Sequence, residues 1–485
     1  MKGAAVESWD GRDGETVRAV VRVCEGETPA EAFDIASAGA WLAFDAGVRN
    51  LDDRPWLWTR PPGEPRRPAP TLLDRLRGRT GSRAAPPASP PPPPPAVALC
   101  HRDGRVREAA LDVARTDPEL RPLLVVRCAD WVSPVREKAR TLLAELPGGD
   151  LFPLAELILR LARRDRGDFA RALLEDALRE GPAAGVLALT AHPDRATYRL
   201  AYRIAVDRAL LTPTQLADTA ASCGDVTLQD LCADAAVAAV KPGGAMDPGA
   251  AVDLGVAVDP SAAVDPGAAV KPAGLVDPDS AVDPDAAVDP SAAVNPDVAA
   301  VLDRLLAARS PRVRSAGVTA LRRAGRHGEA EPFLADRSAV VRACARYVLR
   351  QGGVDPLPVY RSLCTDPAAR PGAAAGLGEC GDRAADAETL WALVEHPLPA
   401  VRLNAITGLR ALDVVQRERL TPSLDDPSPA VVRAATRALL PDAAGIPELL
   451  LRERSGPDRP RAVRVAADRL LRAAGRQRRP EPGYR

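Results

Sequence analysis

The sequence predicts an all-α protein: a solenoid of about eleven helix pairs, interrupted by a low-complexity hexad insertion. Three observations carry that prediction. One 14-residue skeleton returns as "DWVSPVREKARTLL" from Asp130, "DRSAVVRACARYVL" from Asp336, "HPLPAVRLNAITGL" from His396 and "DRPRAVRVAADRLL" from Asp458. Its key positions recur at a period of about 30 residues, in the range of stacked helical repeats. Aromatic residues make up only 3% of the chain, so Ala, Leu and Val must build the core. Small, strong helix formers suit closely packed helices better than a sandwich of sheets.

The skeleton has a helical meaning. In the copy from Asp130, Val135, Ala139 and Leu142/Leu143 fall at i, i+4 and i+7/i+8, one face of an α-helix. The central Ala lets that helix approach its neighbour closely. Asp stands ahead of the helix, commonly with Pro two to four residues later. An Asp there accepts free N–H groups at the helix start, and Pro is tolerated in the first turn. The Val-equivalent positions are Val106, Val135, Ala170, Tyr198 and Leu228 in the N-terminal half. In the C-terminal half they are Val313, Val341, Pro371, Val401, Val432 and Val463. Shorter helical stretches such as "DAETLWALVE" and "IPELLLRER" lie between them, so each unit is a pair.

Around the repeats the chain divides further. Residues 1–80 predict a small helical module or cap, 81–96 a proline-rich linker, 97–240 the first repeats, 241–296 the hexad insertion, 297–475 the remaining repeats and 476–485 a polar tail. In "TPAEAFDIASAGAWLAFDAGVRNL", Thr28, Pro29 and Glu31 predict a capping box, followed by one apolar helix carrying Phe33, Trp41 and Phe44. A second short helix is expected at 71–78, and the proline run after it is a polyproline II spacer. The aromatics of this region read first as packing within the small module; the alternative is a partner-docking segment with Trp56 and Trp58 as candidate docking aromatics.

The skeleton DxxxxVRxxAxxxL resembles the second helix of a HEAT repeat, in particular the short variety of phycobilisome-lyase-like proteins. "AAAGLGECGD" (373–382) resembles that family's helix end. The likeness covers roughly residues 97–475 apart from the insertion. It implies an α-solenoid in which turn Asp and helix Arg bond to one another or to neighbouring repeats, forming a ladder. Family members serve many unrelated roles, so no activity follows from the resemblance.

Between Leu228 and Val313 the chain exceeds one period by about 55 residues. Val recurs every sixth residue from Val252 to Val294, in a V-[DKN]-P-x-A-A hexad. Pro in nearly every hexad forbids a continuous α-helix, and such tracts are usually flexible or polyproline-like. The hexad also weakly resembles the hexapeptide repeat of acyltransferases, which implies a left-handed β-helix. The flexible reading is preferred, because Val and Ala alone make a thin core.

Chemistry-bearing residues are sparse. The 65 basic and 65 acidic residues balance, which argues against nucleic acid or a membrane surface as the partner. The basic residues are almost all Arg, which with heavy Ala and Pro usage points to a GC-rich genome. No stretch of about 18 apolar residues could span a membrane, and no signal-peptide run opens the chain, so a cytoplasmic setting is expected. The eight cysteines form no C-x-x-C pair and read as small apolar residues. His101 and His396 occupy the Asp place of the repeat, and His192 lies in a similar turn, so all three read as turn residues. No metal spacing, P-loop, nucleophile elbow or dinucleotide fingerprint appears, and no cofactor is expected.

One series has a functional edge: Arg107, Arg136, Arg171, Arg199, Arg314, Arg342, Arg402, Arg433 and Arg464, each directly after the Val position. Stacking would set these guanidinium groups in a row, paired with turn Asp residues. Internal pairing is the preferred reading, but Asp is missing from its place in several repeats, as at Ala308 and His396, which leaves some of the Arg residues open to an acidic partner or a phosphate. The favoured function is a non-catalytic, monomeric scaffold or adaptor that binds another protein. The alternatives are a nucleic-acid-binding protein resembling HEAT-like DNA glycosylases, or a lyase-like maturation factor.

Overall fold

A computed structural model of the chain describes residues 11–51, 93–241 and 296–477. The expected helix at 71–78, the proline run before residue 93, Trp56, Trp58 and the hexads from 242 to 295 lie outside the described residues. The described residues are helical, with no β-strand among them.

The eleven Val-equivalent positions fall on eleven separate helices, with Pro371 serving as the N-cap residue of its own. Before the hexad tract these carrier helices are Gly104–Thr116, Ser133–Ala144, Asp168–Glu180, Arg195–Asp207 and Val226–Ala238. After it they are Pro311–Arg323, Ala339–Gln351, Gly372–Cys380, Pro399–Ala411, Pro429–Leu439 and Arg461–Gln477. A shorter helix precedes each, from Pro95–Cys100 to Glu448–Arg454. Ahead of Ala339–Gln351 that place is taken by a 3₁₀ helix, His327–Ala335, with Pro332 inside it. The apolar face is the one the skeleton predicts: Val135, Ala139 and Leu143 are fully buried, as are Val341, Ala345 and Val348. Each buried Val or Leu contributes about 1.5–3 kcal/mol.

The chain forms two compact units, Met1–Leu210 and Leu211–Arg485. In the first, the capping box forms as expected, with Thr28 and Glu31 exchanging hydrogen bonds and Pro29 at N1. The single helix expected after it does not. One turn, Pro29–Ala32, ends at Phe33, whose backbone is extended, and a second helix starts at Ala38. Local polar groups hold the break. Asp34 Oδ1 accepts from the Ala36 N–H (3.0 Å), and Ser37 Oγ from the Ala40 N–H (3.2 Å). Trp41 Nε1 donates to Ile35 O (2.8 Å), and Phe33 folds back onto Trp41 and Phe44, with ring centroids 4.9 and 5.2 Å away. The helix Ala38–Leu51 packs on Pro95–Cys100 and Arg121–Arg127, seating the module on the first repeats.

In the second unit, like stacks on like across the hexad tract. Pro213–Ser222 packs on Pro296–Ala307, and Val226–Ala238 on Pro311–Arg323. Ion pairs Arg304–Asp218 and Arg312–Asp230 join the two sides. Farther on, Gly372–Cys380 and Pro399–Ala411 approach backbone to backbone. A Cβ on Gly378 would lie 2.1 Å from Gly408 O, so only glycine fits there.

Candidate functional site

Many of the repeat turns are built by the same hydrogen bonds. The turn residue's side chain accepts the N–H two residues on: Asp130 from Val132 (2.9 Å), Asp336 from Ser338 (2.7 Å) and Asp426 from Ser428 (2.8 Å). Three histidines substitute directly. Nδ1 of His101, His192 and His396 accepts from the N–H of Asp103, Asp194 and Leu398, at 3.0 to 3.1 Å. Six residues after the turn residue, an Arg reaches back to its carbonyl. Nη1 donates from Arg107 to His101 O (2.6 Å), Arg136 to Asp130 O (2.9 Å), Arg314 to Ala308 O (2.9 Å), Arg342 to Asp336 O (2.6 Å) and Arg402 to His396 O (2.9 Å). Gln229 makes the same bond to Cys223 O.

The rest of the guanidinium points forward. In three repeats Nε and Nη2 grip the carboxylate of the next turn Asp, bidentate, 22 to 24 residues downstream: Arg107–Asp130 (2.9 and 2.8 Å), Arg314–Asp336 (2.8 and 2.9 Å) and Arg402–Asp426 (2.7 and 2.9 Å). This corrects the expectation for Ala308 and His396. An Arg needs only the carbonyl of its own turn residue, so the missing Asp side chain frees neither Arg314 nor Arg402. Burial pushes the Asp336 carboxyl up, but hydrogen bonds from Arg314 and the Ser338 N–H outweigh it and hold the group below the usual carboxylate range. The hydrogen bond to Asp426 raises Arg402 above its ordinary value.

Elsewhere the rung lapses for identifiable reasons. Arg136 bonds Ser133 Oγ (2.9 Å) in its own turn instead of reaching Asp165 at the next. Arg171 is exposed and pairs with Glu175, four residues on. Arg342 is buried but turns to Glu379, which it shares with Arg346. Two expectations are off register by one residue. In Arg195–Asp207 the buried position is Thr197, so Tyr198 rather than Arg199 stands at the rung. In Pro429–Leu439 the turn is Asp426, so the rung position is Val432, and Arg433 is exposed beyond it. Arg464 is in register, yet its Nε is buried without an acceptor.

The most buried rung is also the most connected. Asp130 accepts from Arg127 (3.0 Å) as well as Arg107, and Arg127 bridges on to Asp45 in the N-terminal module. Asp45 pairs in turn with Arg49. The Trp131 ring lies against the guanidiniums of Arg107 and Arg49, 4.2 and 4.7 Å from its centroid. Repeat spacing gives no sign of Asp45 or Arg127. The one available signal was Asp45 itself, a lone acid inside the apolar run "WLAFDAGV".

The buried thiols behave as apolar groups. Burial pushes Cys128 and Cys232 up to about 12 and Cys24 and Cys364 up to about 11, so none supplies a thiolate near neutral pH. No cluster of His, Cys, Asp and Glu among the described residues could hold a metal ion. An open groove lined by Pro93, Pro95, Ala98, Val106, Ala109 and Val113 has an apolar wall apart from Arg105. No helix among the described residues is long and apolar enough to cross a membrane.

Paired helices stacked at a fixed period, with their turns linked through Arg and Asp, define an α-solenoid. Residues 357–440 match the family model of HEAT repeats. None of the curated proteins matches the chain. Among solved structures, an engineered protein is 15% identical, with 78% of this chain and 97% of that chain aligned and a TM-score of 0.21. Kap121p and a mutant of it are 12% identical, with 96% of this chain and 54% of theirs aligned and TM-scores of 0.30 and 0.31. The chain thus spans about half the length of Kap121p, and TM-scores of this size carry no argument. The likeness of the hexads to hexapeptide repeats gains no support from these matches.

Proposed function

We propose that the protein is a non-catalytic, monomeric scaffold or adaptor of the cytoplasm that binds another protein. The observation that supports this best is the HEAT-type array. Its apolar faces are spent on stacking and its in-register arginines mostly on the turns, which leaves outer helix faces and loops as the working surface. The protonated, buried thiols fit a role without nucleophilic catalysis. Trp56 and Trp58 are proposed as partner anchors from the sequence alone. The test is cross-linking capture with the full chain, followed by reconstitution with the purified candidate. One stoichiometric protein partner is expected. Recovery that vanishes on nuclease treatment, or turnover of a small molecule, would overturn the proposal.

A further inference from the structure

We infer that the outer face of the helix Arg461–Gln477 is a docking strip for an acidic amphipathic helix of a partner protein, with Arg464 gripping a partner carboxylate. The inference rests on the scaffold reading and names the surface that does the binding.

The first support is the ladder. Arg107, Arg314 and Arg402 each spend Nε and Nη2 on a carboxylate. Arg464 stands at the same place, six residues after the turn residue Asp458. Its Nε is buried with no acceptor, and no carboxylate among the described residues pairs with it. A buried donor left unmade is costly, and an incoming carboxylate relieves that cost.

The second support is charge. The helix carries five arginines against one aspartate, in a chain whose formal net charge is zero. Arg461, Arg469, Arg472 and Arg476 are exposed, and none forms an ion pair among the described residues. On the preceding helix, by contrast, Arg452 pairs with Glu448 and Arg454 with Asp425. At 3.6 residues per turn these four and Arg464 fall within one arc of about 140°, over a length of about 22 Å, and the exposed Asp468 in the same arc leaves it with a net charge of about +4.

The third support is an apolar centre. Val465 lies within that arc and is 55% exposed. Guanidiniums around an apolar residue fit a helix presenting acids beside aliphatic side chains. A phosphate backbone gains nothing from the valine, and the neutral chain lacks the long-range field that nucleic-acid binding draws on. A second copy fits worse. Strip against strip sets arginine against arginine, and the first repeat's turn presents His101 rather than a carboxylate.

The test is fluorescence anisotropy on the purified full chain. The probes are a labelled helical peptide of about 16 residues, with Glu and Leu at i, i+3 and i+4 spacing, and single-stranded and duplex DNA of equal charge. Saturable peptide binding is expected. Arg464→Gln, and separately the pair Arg469→Gln and Arg472→Gln, should each weaken it about tenfold or more, without lowering the melting temperature. Val465→Ser should weaken the peptide, and Arg452→Gln should not. No saturable peptide binding, binding indifferent to Arg464→Gln, or tighter binding of DNA than of peptide would each overturn the inference. If the partner from the capture experiment still binds Arg464→Gln at full strength, the strip fails while the scaffold reading stands.

Discussion

The rung between Arg107 and Asp130 and the rung between Arg402 and Asp426 use the same atoms in the same geometry, but their surroundings differ. In the first, both side chains are fully buried, Asp130 serves a second Arg, and the chain of ion pairs continues through Arg127 to Asp45 in the N-terminal module. In the second, both partners keep some exposure, at 13% and 10%, and no further ion pair among the described residues is attached to them. The turn sets the geometry of a rung, whereas burial and the number of dependants set its energetic weight. A bidentate pair near solvent is a local fastening. The same pair sealed under Trp131 holds two structural modules together.

This contrast predicts unequal losses. Asp130→Asn keeps the shape of the side chain but leaves Arg107 as a buried charge without a carboxylate and Arg127 with Asp45 alone, and should cost about 3–5 kcal/mol in chemical denaturation. Asp426→Asn leaves Arg402 able to reach water and should cost about 1–2 kcal/mol. Equal losses would show that burial does not govern the rung. Because Asp130 also holds Arg127, its variant should expose the module 11–51 to proteolysis before the rest of the unit.

The rung at Asp336 sharpens the comparison through pH. Its folded carboxyl is depressed below the ordinary Asp value, so the unfolded chain binds the proton more readily. The stability it supplies is therefore present above the unfolded value of about 4 and is lost as pH falls through the folded one. The melting-temperature gap between wild type and Asp336→Asn should be widest near neutral pH and should close in the acid range below about pH 4. A gap that stayed constant to low pH would mean that Arg314 takes nothing from the carboxylate charge.

How much of this was legible in the sequence depends on which residue carries the information. The carrier helices were legible because Val, Ala and Leu repeat on one face, and the eleven expected positions each mark a helix or its N-cap. The rungs were only half legible. The skeleton shows Asp and Arg six apart within one repeat, which invites pairing inside the repeat. The guanidinium instead takes the backbone carbonyl of its own turn and the carboxylate of the next one. What decides a rung is the residue 22 to 24 positions downstream, and sequence spacing alone does not rank that distance above any other. The break at Phe33 was missed because Ala-rich flanks favour helix, while Asp34 and Ser37 bond locally and win.

A lapsed rung gives a smaller effect. Arg136 bonds only the Asp130 carbonyl and Ser133 Oγ, both within its own turn, and strands no carboxylate when removed. Arg136→Ala should cost less than about 1 kcal/mol, far below the Asp130 variant six positions earlier. A loss as large as that of Asp130→Asn would show that the within-turn bond, not the forward rung, is what each Arg supplies.

The smallest effect is expected at the hexad tract. Pro213–Ser222 already lies on Pro296–Ala307 and Val226–Ala238 on Pro311–Arg323, with ion pairs Arg304–Asp218 and Arg312–Asp230 between them. The stacking that joins the two sides is therefore made by residues outside the tract. Val and Ala bury little apolar area at about 25 cal/mol per Å², ordering each residue costs about 1–2 kcal/mol, and Pro removes a ladder donor from most hexads. Replacing residues 242–295 by a short Gly/Ser linker should keep a single cooperative transition for the second unit. Loop closure by a shorter chain should raise its stability by no more than about 1–2 kcal/mol. A large drop in melting temperature, or strong amide-exchange protection across the tract in the intact protein, would show that the hexads form a packed structure of their own and would favour the β-helix reading.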